Sequence, residues 1–286
     1  MPDPATASKS RLRLGLWAPY VAVLVLAIAG GAGWFALKMR LEQGLDEATL
    51  RLRAQGYAVS WRARRVDGFP FRLDLTLEQP RIAEPSGWAL AAPALKGEAY
   101  AYEADHWIFV APLGLVVTRP GKGALEVTGQ AMRASLAGLP AAPRFSFEGV
   151  KLAFKPQPGA APGSLSSAER LELHLQPGPD DQAALLVRLG VGHTDLPPAL
   201  SRLANGQPVS GLWDSRLSHF SRLAGPDWPS AVRRWTAAGG AMSLMSADLT
   251  AGQTAISVGA ATLTVGSDGR LRGAMPLTLR QGPPAP

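Results

Sequence analysis

"RRVDGFPFRLDLTLEQPRI", residues 64–82, holds the pattern that decides the fold of this chain. Leu73, Leu75 and Leu77 alternate there with charged or polar residues. Because successive side chains of a β-strand point to opposite faces of the sheet, this alternation predicts a strand with one buried apolar face. The same period recurs along much of the chain and predicts a β-rich protein.

A corner precedes this strand. The Asp67–Gly68 pair favours a tight turn. Pro70 belongs at the start of a strand, because it has no N–H to donate to a neighbouring strand. Phe69 and Phe71, on either side of it, are therefore expected to cap the core at this corner.

An apolar groove is the alternative use of the same region. If the sheet is open and curved, its leucine face is not fully covered and can bind an apolar ligand. The candidate groove residues are Phe69, Phe71, Leu73, Leu75 and Leu77. The alternation alone fits a core and a groove equally well.

Further short strands are predicted between glycine and proline residues. They cover residues 88–95, 100–111, 115–118, 124–136, 145–154, 169–175, 183–191, 241–250, 254–265 and 271–279. A helical insertion is predicted at 196–239, with a short helix at 197–204, mixed strand and helix at 212–223 and a second short helix from Pro229 onward. Asp268–Gly269 predicts a hairpin turn before the last strand. The β-rich domain would then comprise residues 57–280, with a flexible tail at 281–286.

The fold class that follows is α+β and rich in β-structure. It consists of an N-terminal transmembrane helix and then a curved, mostly antiparallel sheet with a small helical insertion.

The N-terminal region contains a candidate membrane anchor. Residues 14–37, "LGLWAPYVAVLVLAIAGGAGWFAL", carry no charge and as a helix would cross about 30 Å of hydrocarbon. Trp17, Tyr20 and Trp34 lie near its ends, where interfacial aromatic residues are expected. Residues 1–13 are basic, which predicts a cytoplasmic N-terminus. In a bacterium the protein would then be a single-pass inner-membrane protein with its main domain in the periplasm.

Two other interpretations of this segment stay open. One is a cleavable signal peptide with its cleavage site near residues 27–29, and the other is a buried helix of a soluble protein. The apolar sequence continues to residue 37, which favours the retained anchor.

Residues 38–56 predict a juxtamembrane helix. Leu41, Leu45 and Leu52 recur at helical spacing, and Gly56 is the predicted C-cap. We expect these leucines to pack on the sheet. A short coiled-coil dimer is the alternative use of the same stripe.

The formal net charge of +7 does not indicate nucleic-acid binding, because much of it flanks the anchor. The flanking charges are Lys9, Arg11, Arg13, Lys38 and Arg40, with Asp3 as the one acid among them. No nucleic-acid partner is therefore predicted. The chain contains no cysteine, which excludes disulfides and thiolate metal sites.

Catalytic and cofactor motifs are missing from the sequence. The four histidines show no metal-ligand spacing, and there is no nucleophile elbow, P-loop or dinucleotide fingerprint. We therefore expect no enzyme activity and no cofactor or metal. A hydrolase would have to assemble distant residues such as His193, Asp195 and Ser210.

Arg233 and Arg234 form a basic pair beside Trp235 on the predicted helix. Such a pair can bind an anionic lipid headgroup or an acidic partner. The alternative is an ordinary solvated helix face.

A family resemblance rests on several pieces together. They are the basic anchor, "GFPFR" at 68–72, "GGAMSLMSADLT" at 239–250 and "GAATLTVGSDGRLRGAMPLTL" at 259–279. This combination resembles the uncharacterised bacterial envelope family DUF2125 and, more distantly, the AsmA-like envelope proteins. The distant resemblance implies an open β-structure with an apolar inner groove that is linked to lipid handling.

These observations favour a non-enzymatic, membrane-anchored periplasmic protein that binds an apolar ligand or lipid, or assists envelope lipid handling. The alternative is an anchored module that pairs with another envelope protein through its exposed strand edges. A hydrolase is the third hypothesis.

Overall fold

The computed structural model describes residues 14–138, 142–194, 206–266 and 270–281. Two α-helices, α1 (Leu14–Ala54) and α2 (Trp228–Ala237), and a short 3-10 helix (Phe220–Arg222) accompany a large antiparallel sheet. The strands are β1 (Ala58–Ser60), β2 (Ala63–Asp67), β3 (Arg72–Glu78), β4 (Arg81–Ala83), β5 (Ala89–Ala91), β6 (Ala94–Tyr100), β7 (Glu103–Val110), β8 (Leu115–Arg119), β9 (Gly123–Thr128), β10 (Ala131–Ala137), β11 (Arg144–Pro156), β12 (Ser167–Pro177), β13 (Ala183–His193), β14 (Val209–Leu217), β15 (Met242–Ala251), β16 (Thr254–Val258), β17 (Ala261–Val265), β18 (Leu271–Arg272) and β19 (Leu277–Gln281). The predicted β-rich α+β fold class is confirmed.

Helix α1 runs without interruption through both the predicted anchor and the predicted juxtamembrane helix. Within the described residues it is the one helix that is long and apolar enough to cross a membrane. It ends as predicted at Gly56, whose φ of +90° is readily adopted by glycine. The N–H of Gly56 donates to the carbonyl of Arg53, and the N–H of Tyr57 donates to that of Leu52. These two bonds form a Schellman motif, which satisfies the last carbonyls of the helix.

The sheet is an up-and-down meander in which the chain crosses the sheet repeatedly. We call each crossing a pass, and each of the early passes is broken into two strands. β2 pairs with β3 and β1 with β4, so that β1–β2 and β3–β4 lie side by side as two bent passes. The same arrangement continues through β5–β6, β7–β8 and β9–β10, and the passes from β11 to β15 are single strands. Among the described residues β2 and β19 each pair with only one strand, so the sheet is open.

The bends of neighbouring passes lie next to one another and form a line across the sheet, which we call the crease. Pro80 lies between β3 and β4, and Pro93 lies between β5 and β6. Neither proline can donate to a ladder, but the carbonyl of Pro93 accepts from Gln79 and that of Pro80 accepts from Ala92. The two neighbouring passes therefore stay hydrogen-bonded to each other, and both bend at the same height in the sheet. On β11 the crease falls near Lys151, where the pairing partner changes from β10 to β9.

The first core lies between α1 and the leucine face of β3. Leu73 is only 1% exposed, and Leu75 and Leu77 are also buried. The α1 residues that pack on this cluster are Trp34, Leu37, Leu41 and Leu45. The indole N–H of Trp34 donates to the carbonyl of Arg72 over 2.6 Å. The second half of α1 thus packs directly on the sheet.

The remaining strands build a second core on the inner face of the curved sheet. Its buried members are Ala111, Val127, Met132, Leu152 and Ala168. Outward positions carry ion pairs instead, such as Arg170 with Glu148 and Glu172. The inner face is therefore apolar and the outer face largely polar.

Twist brings distant parts of the sheet together. Neighbouring strands rotate by roughly 20–25°, so the passes from β3–β4 to β14 accumulate roughly 150°. The segment that follows β14 consequently reaches the turn at residues 84–88: the N–H of Trp228 donates to Oε2 of Glu84 over 3.2 Å. We call this end, where α1 also stops, the far end of the domain, and the end with the turns at 67–72 and 100–103 the base.

The predicted helical insertion at 196–239 is wrong in extent. β14 occupies its middle and pairs with both β13 and β15. The inward positions of β14 include Gly211 and Ser215, and Leu212 points outward, so the apolar alternation is hidden in the sequence. Ser215 is nevertheless completely buried. Helical structure in this region is confined to the 3-10 helix and α2.

Smaller corrections concern the last strands. The strand predicted at 254–265 is two strands, β16 and β17, and that at 271–279 is β18 and β19. Gly259 and Pro276 lie at the breaks and are joined by a hydrogen bond between their backbones. The helix predicted at 197–204, the Asp268–Gly269 turn and residues 282–286 of the tail lie outside the described residues.

The packing of α1 on β3 predicts the effect of truncating Leu73. We expect Leu73→Ala to lower the free energy of unfolding by about 2–5 kcal/mol, because it leaves a cavity beneath α1. The matched control is Leu113→Ala, since Leu113 is 66% exposed. Its effect should stay within about 0.5 kcal/mol. Urea unfolding of the full chain in detergent measures both, and equal losses would contradict the packing.

Candidate functional site

An apolar concavity lies where the crease crosses the first passes. It has a volume of about 190 Å³. Its lining is Val59, Ser60, Trp61, Leu77, Pro80, Arg81, Ile82, Leu90, Ala91, Ala92, Leu95, Ala111 and Leu115. Leu90 is 45% exposed, so the concavity is open to solvent on that side. We call it the crease cavity.

Small residues and prolines create this cavity. Leu77 faces Leu95 on one side of the crease, and Ile82 faces Leu90 on the other. Between these pairs the wall consists of Ala91, Ala92 and Pro80, whose short side chains leave space unfilled. The large side chains on both sides then form an apolar rim around that space.

The size and position of the cavity limit its ligand. A volume of 190 Å³ is below the roughly 300–1,000 Å³ of sites for drug-sized molecules, so it suits part of an acyl chain or one bulky apolar group. Leu77 and Ile82 lie five and ten residues beyond Arg72 at the base, which is about 17–33 Å along the strands. The cavity therefore lies well beyond the base along the strands.

The five groove residues predicted from the sequence are not brought together. Leu73 and Leu75 are buried under α1, so the prediction that they line an open groove is wrong. The stripe of apolar residues on α1 covers them. Leu77 belongs both to this core and to the wall of the crease cavity.

Phe69 and Phe71 lie at the base instead, and both are exposed. The ring of Phe69 contacts Trp34 and Phe35 of α1, with centroid separations of 5.4 and 6.2 Å. Gly68 has a φ of +99°, and the peptide bond between Phe69 and Pro70 is cis. The corner predicted here is present, but its aromatic side chains cap the sheet beside α1 rather than line a groove.

Arg233 and Arg234 are exposed on α2. Arg233 donates to Oγ of Ser230, and Arg234 donates to the carbonyl of Ala224. Helix α2 begins beside Glu84 at the far end, and α1 rises about 30 Å between Trp34 and that end. This position gives no support to a contact between the pair and the headgroups around α1.

The residues of the hydrolase hypothesis do not form a triad in the described structure. Nδ1 of His193 lies 3.1 Å from Oγ of Ser167. Ser210 pairs with Thr250 on β15, and Asp195 lies outside the described residues. In the described ranges, no group of three or more His, Asp or Glu side chains could hold a metal ion.

A comparison with protein families identifies the chain. The model of the family described as "Uncharacterized protein conserved in bacteria (DUF2125)" matches residues 34–284. The chain belongs to DUF2125. No curated protein and no solved structure matches it. The distant similarity to AsmA-like proteins that the sequence suggested therefore has no support from these comparisons.

The match to DUF2125 begins at Trp34, which is also where α1 begins to pack on the sheet. The family thus shares the packed half of the helix together with the sheet. The apolar half that protrudes from the base lies outside the match.

The walls of the crease cavity in this DUF2125 chain come from four separate passes, and Leu77 is the one lining residue among the groove residues predicted from the sequence. A signal was present in "QPRI" at 79–82 and "AAPAL" at 91–95. Each places a proline within a run of strand residues, and two such prolines in neighbouring passes indicate a shared bend.

Carboxylates fix the segment between β14 and β15. Asp181 accepts hydrogen bonds from the backbone N–H and the hydroxyl of Ser221, both at 2.8 Å, and these bonds lower the pKa of its carboxyl. At the far end, burial raises the pKa of Tyr57, and the carboxylates of Glu84 and Asp227 raise it further. The bonds of Asp181 therefore hold the 3-10 helix to the turn between β12 and β13, and the bond from Trp228 to Glu84 holds the start of α2 at the far end.

Ser221→Ala tests the first of these contacts. Loss of one donor should raise the pKa of Asp181 toward its ordinary value, which an NMR titration of ¹³C-labelled aspartate detects. The native carboxylate stabilises the fold above the unfolded pKa of about 3.9, and this contribution is lost as the pH falls through the lower folded pKa. The variant should lose less stability over that acid range. Ser243→Ala, on an exposed residue of β15, is the control that should leave the titration unchanged.

Proposed function

We propose that this protein is a non-enzymatic, membrane-anchored protein of the bacterial envelope that holds part of an apolar ligand in its crease cavity. The observation that carries the proposal is the cavity itself, a concavity of about 190 Å³ with an almost entirely apolar wall. Burial of acyl surface at about 25 cal/mol per Å² provides affinity without any catalytic group.

The chemistry at the wall narrows the ligand to an acidic amphiphile. Arg81 lines the cavity and is exposed. Within the described parts of the chain, its guanidinium has no hydrogen bond or ion pair. A carboxylate or phosphate next to an acyl chain would place its charge at Arg81 and its chain against Ile82 and Leu90.

Anchoring follows from α1. Its first half is exposed and apolar, and basic residues flank it on both sides. The basic N-terminus supports a cytoplasmic start, with the sheet in the periplasm. The cavity then lies roughly 17–33 Å from the base along the strands.

Cysteine labelling tests this topology, because the natural chain contains no cysteine. We expect Leu113→Cys to react with a membrane-impermeant maleimide in spheroplasts before lysis, since the residue is exposed on the sheet domain. The unsubstituted chain is the background control. Labelling only after lysis would contradict a periplasmic domain.

Photocrosslinking in the full chain tests the ligand site. With a diazirine-labelled fatty acid, we expect adducts on residues 77–95 as well as on the apolar half of α1. Leu90→Asn should reduce the cavity adducts roughly tenfold, because it replaces apolar surface at the mouth by an amide. Leu113→Asn, on an exposed leucine outside the cavity, is the matched control.

The charge of the ligand is tested with a second probe. Arg81→Gln should weaken labelling by the fatty acid and leave labelling by the corresponding fatty alcohol unchanged. Adducts on α1 alone, with none on the crease, would overturn the ligand proposal.

One observation favours the alternative, an interaction module. Leu277 and Leu279 on β19 are exposed, and in the described residues β19 pairs with β16 alone. Such an edge can accept a strand from a partner. Absence of cavity adducts, together with capture of one defined protein by a photocrosslinker at residue 279, would favour this function.

A further inference from the structure

Four exposed aromatic side chains cluster at the base of the domain. Phe69 is 57% exposed, Phe71 72%, Tyr100 52% and Tyr102 78%. Large aromatic side chains are among the most costly to leave in water, and a group of them indicates an interaction surface. We call this group the aromatic rim.

Two neighbouring turns hold the rim together. Phe69 and Phe71 lie in the turn between β2 and β3, and the tyrosines lie in the turn between β6 and β7. The N–H of Ala101 donates to the carbonyl of Phe71 over 2.9 Å, which joins the two turns. The rings of Tyr100 and Tyr102 are stacked, with centroids 5.1 Å apart. The rim is thus a fixed part of the sheet end.

The position of the rim relative to α1 identifies what it meets. Phe69 packs against Trp34 and Phe35, the last aromatic residues of the apolar half of the helix. The first charged residues, Lys38 and Arg40, follow within two turns. The rim therefore lies at the height where α1 passes from apolar to charged sequence, which is the height of a membrane–water boundary.

We propose that the aromatic rim inserts into the interfacial layer of the bilayer that α1 crosses. The domain then contacts the membrane at two places, through the helix α1 and through the aromatic rim. This inference rests on the proposed function only in requiring that α1 spans a membrane.

Charges around the rim indicate that the contact is apolar. Asp67, Asp74, Glu98 and Glu103 lie on the strands beside the rim. Arg72 is the cation among them, and it is paired with Asp74 at 2.9 Å and Glu98 at 3.6 Å. Lys38 and Arg40 of α1 lie at the same height, so acids and cations nearly balance around the rim and anionic lipids add little to its insertion. Insertion should occur in neutral phosphatidylcholine and be insensitive to salt.

Site-directed spin labels measure the depth of the rim in the full chain. Single cysteines replace Phe71, Tyr102, Leu113 or Val23 in a chain that has no other cysteine, and each variant is reconstituted in phosphatidylcholine nanodiscs. The ratio of collisions with oxygen to collisions with a nickel chelate reports depth. We expect ratios at 71 and 102 roughly tenfold above that at 113, and the highest ratio at 23.

A second substitution tests whether the depth of the spin label depends on the aromatic side chains of the rim. In the Tyr102→Cys background, Phe71→Ser should lower the ratio at 102 severalfold, because it removes a neighbouring anchor. Leu113→Ser, on an exposed residue outside both the rim and the crease cavity, should leave it unchanged.

The outcomes distinguish the two proposals. If the label at residue 23 lies in lipid and the labels at 71 and 102 lie in water, the proposal that the rim inserts is overturned and the membrane anchor is retained. A label in water at 23 would overturn the anchor, and with it the rim. Insertion that occurs only with anionic lipid would also overturn the rim as an apolar contact.

Discussion

The packing of α1 on the leucine face of β3 is the contact on which the rest of the structure depends. An antiparallel sheet needs cover on its apolar face, and at this end of the sheet the helix supplies it. Trp34 fixes the register through its bond to the carbonyl of Arg72, and Leu37, Leu41 and Leu45 follow along the same face. The DUF2125 match begins at the first of these residues, so the covering helix and the sheet form one unit.

The same contact decides where the sheet is left uncovered. Leu77 is the last leucine of β3 that the helix buries, and it is also the first wall of the crease cavity. Beyond it the prolines bend the passes away, and alanines line the space that remains. The cavity is therefore formed by the creased sheet alone, beyond the part that α1 covers, because all of its lining residues come from the sheet passes.

Sequence patterns within single elements predicted most of the fold. The features that they did not predict depend on contacts between residues far apart in the sequence. The alternation at Leu73, Leu75 and Leu77 gave the strand and its buried face, and Gly56 gave the end of the helix. Nothing in that alternation says what lies above the leucines, so core and groove could not be separated. β14 was hidden because Gly211 and Ser215 occupy inward positions that apolar residues usually fill. The cavity was hidden because its walls come from passes far apart in sequence.

The unbroken course of α1 has a mechanical consequence. One continuous helix belongs to the apolar segment at one end and to the core of the sheet at the other, with no break between residues 14 and 54. A membrane-spanning helix whose apolar length exceeds the local bilayer thickness tilts to match it. If α1 spans a membrane, such a tilt changes the orientation of the sheet as well, because the same helix is packed into its core. The inclination of the domain would then be coupled to the thickness of that membrane.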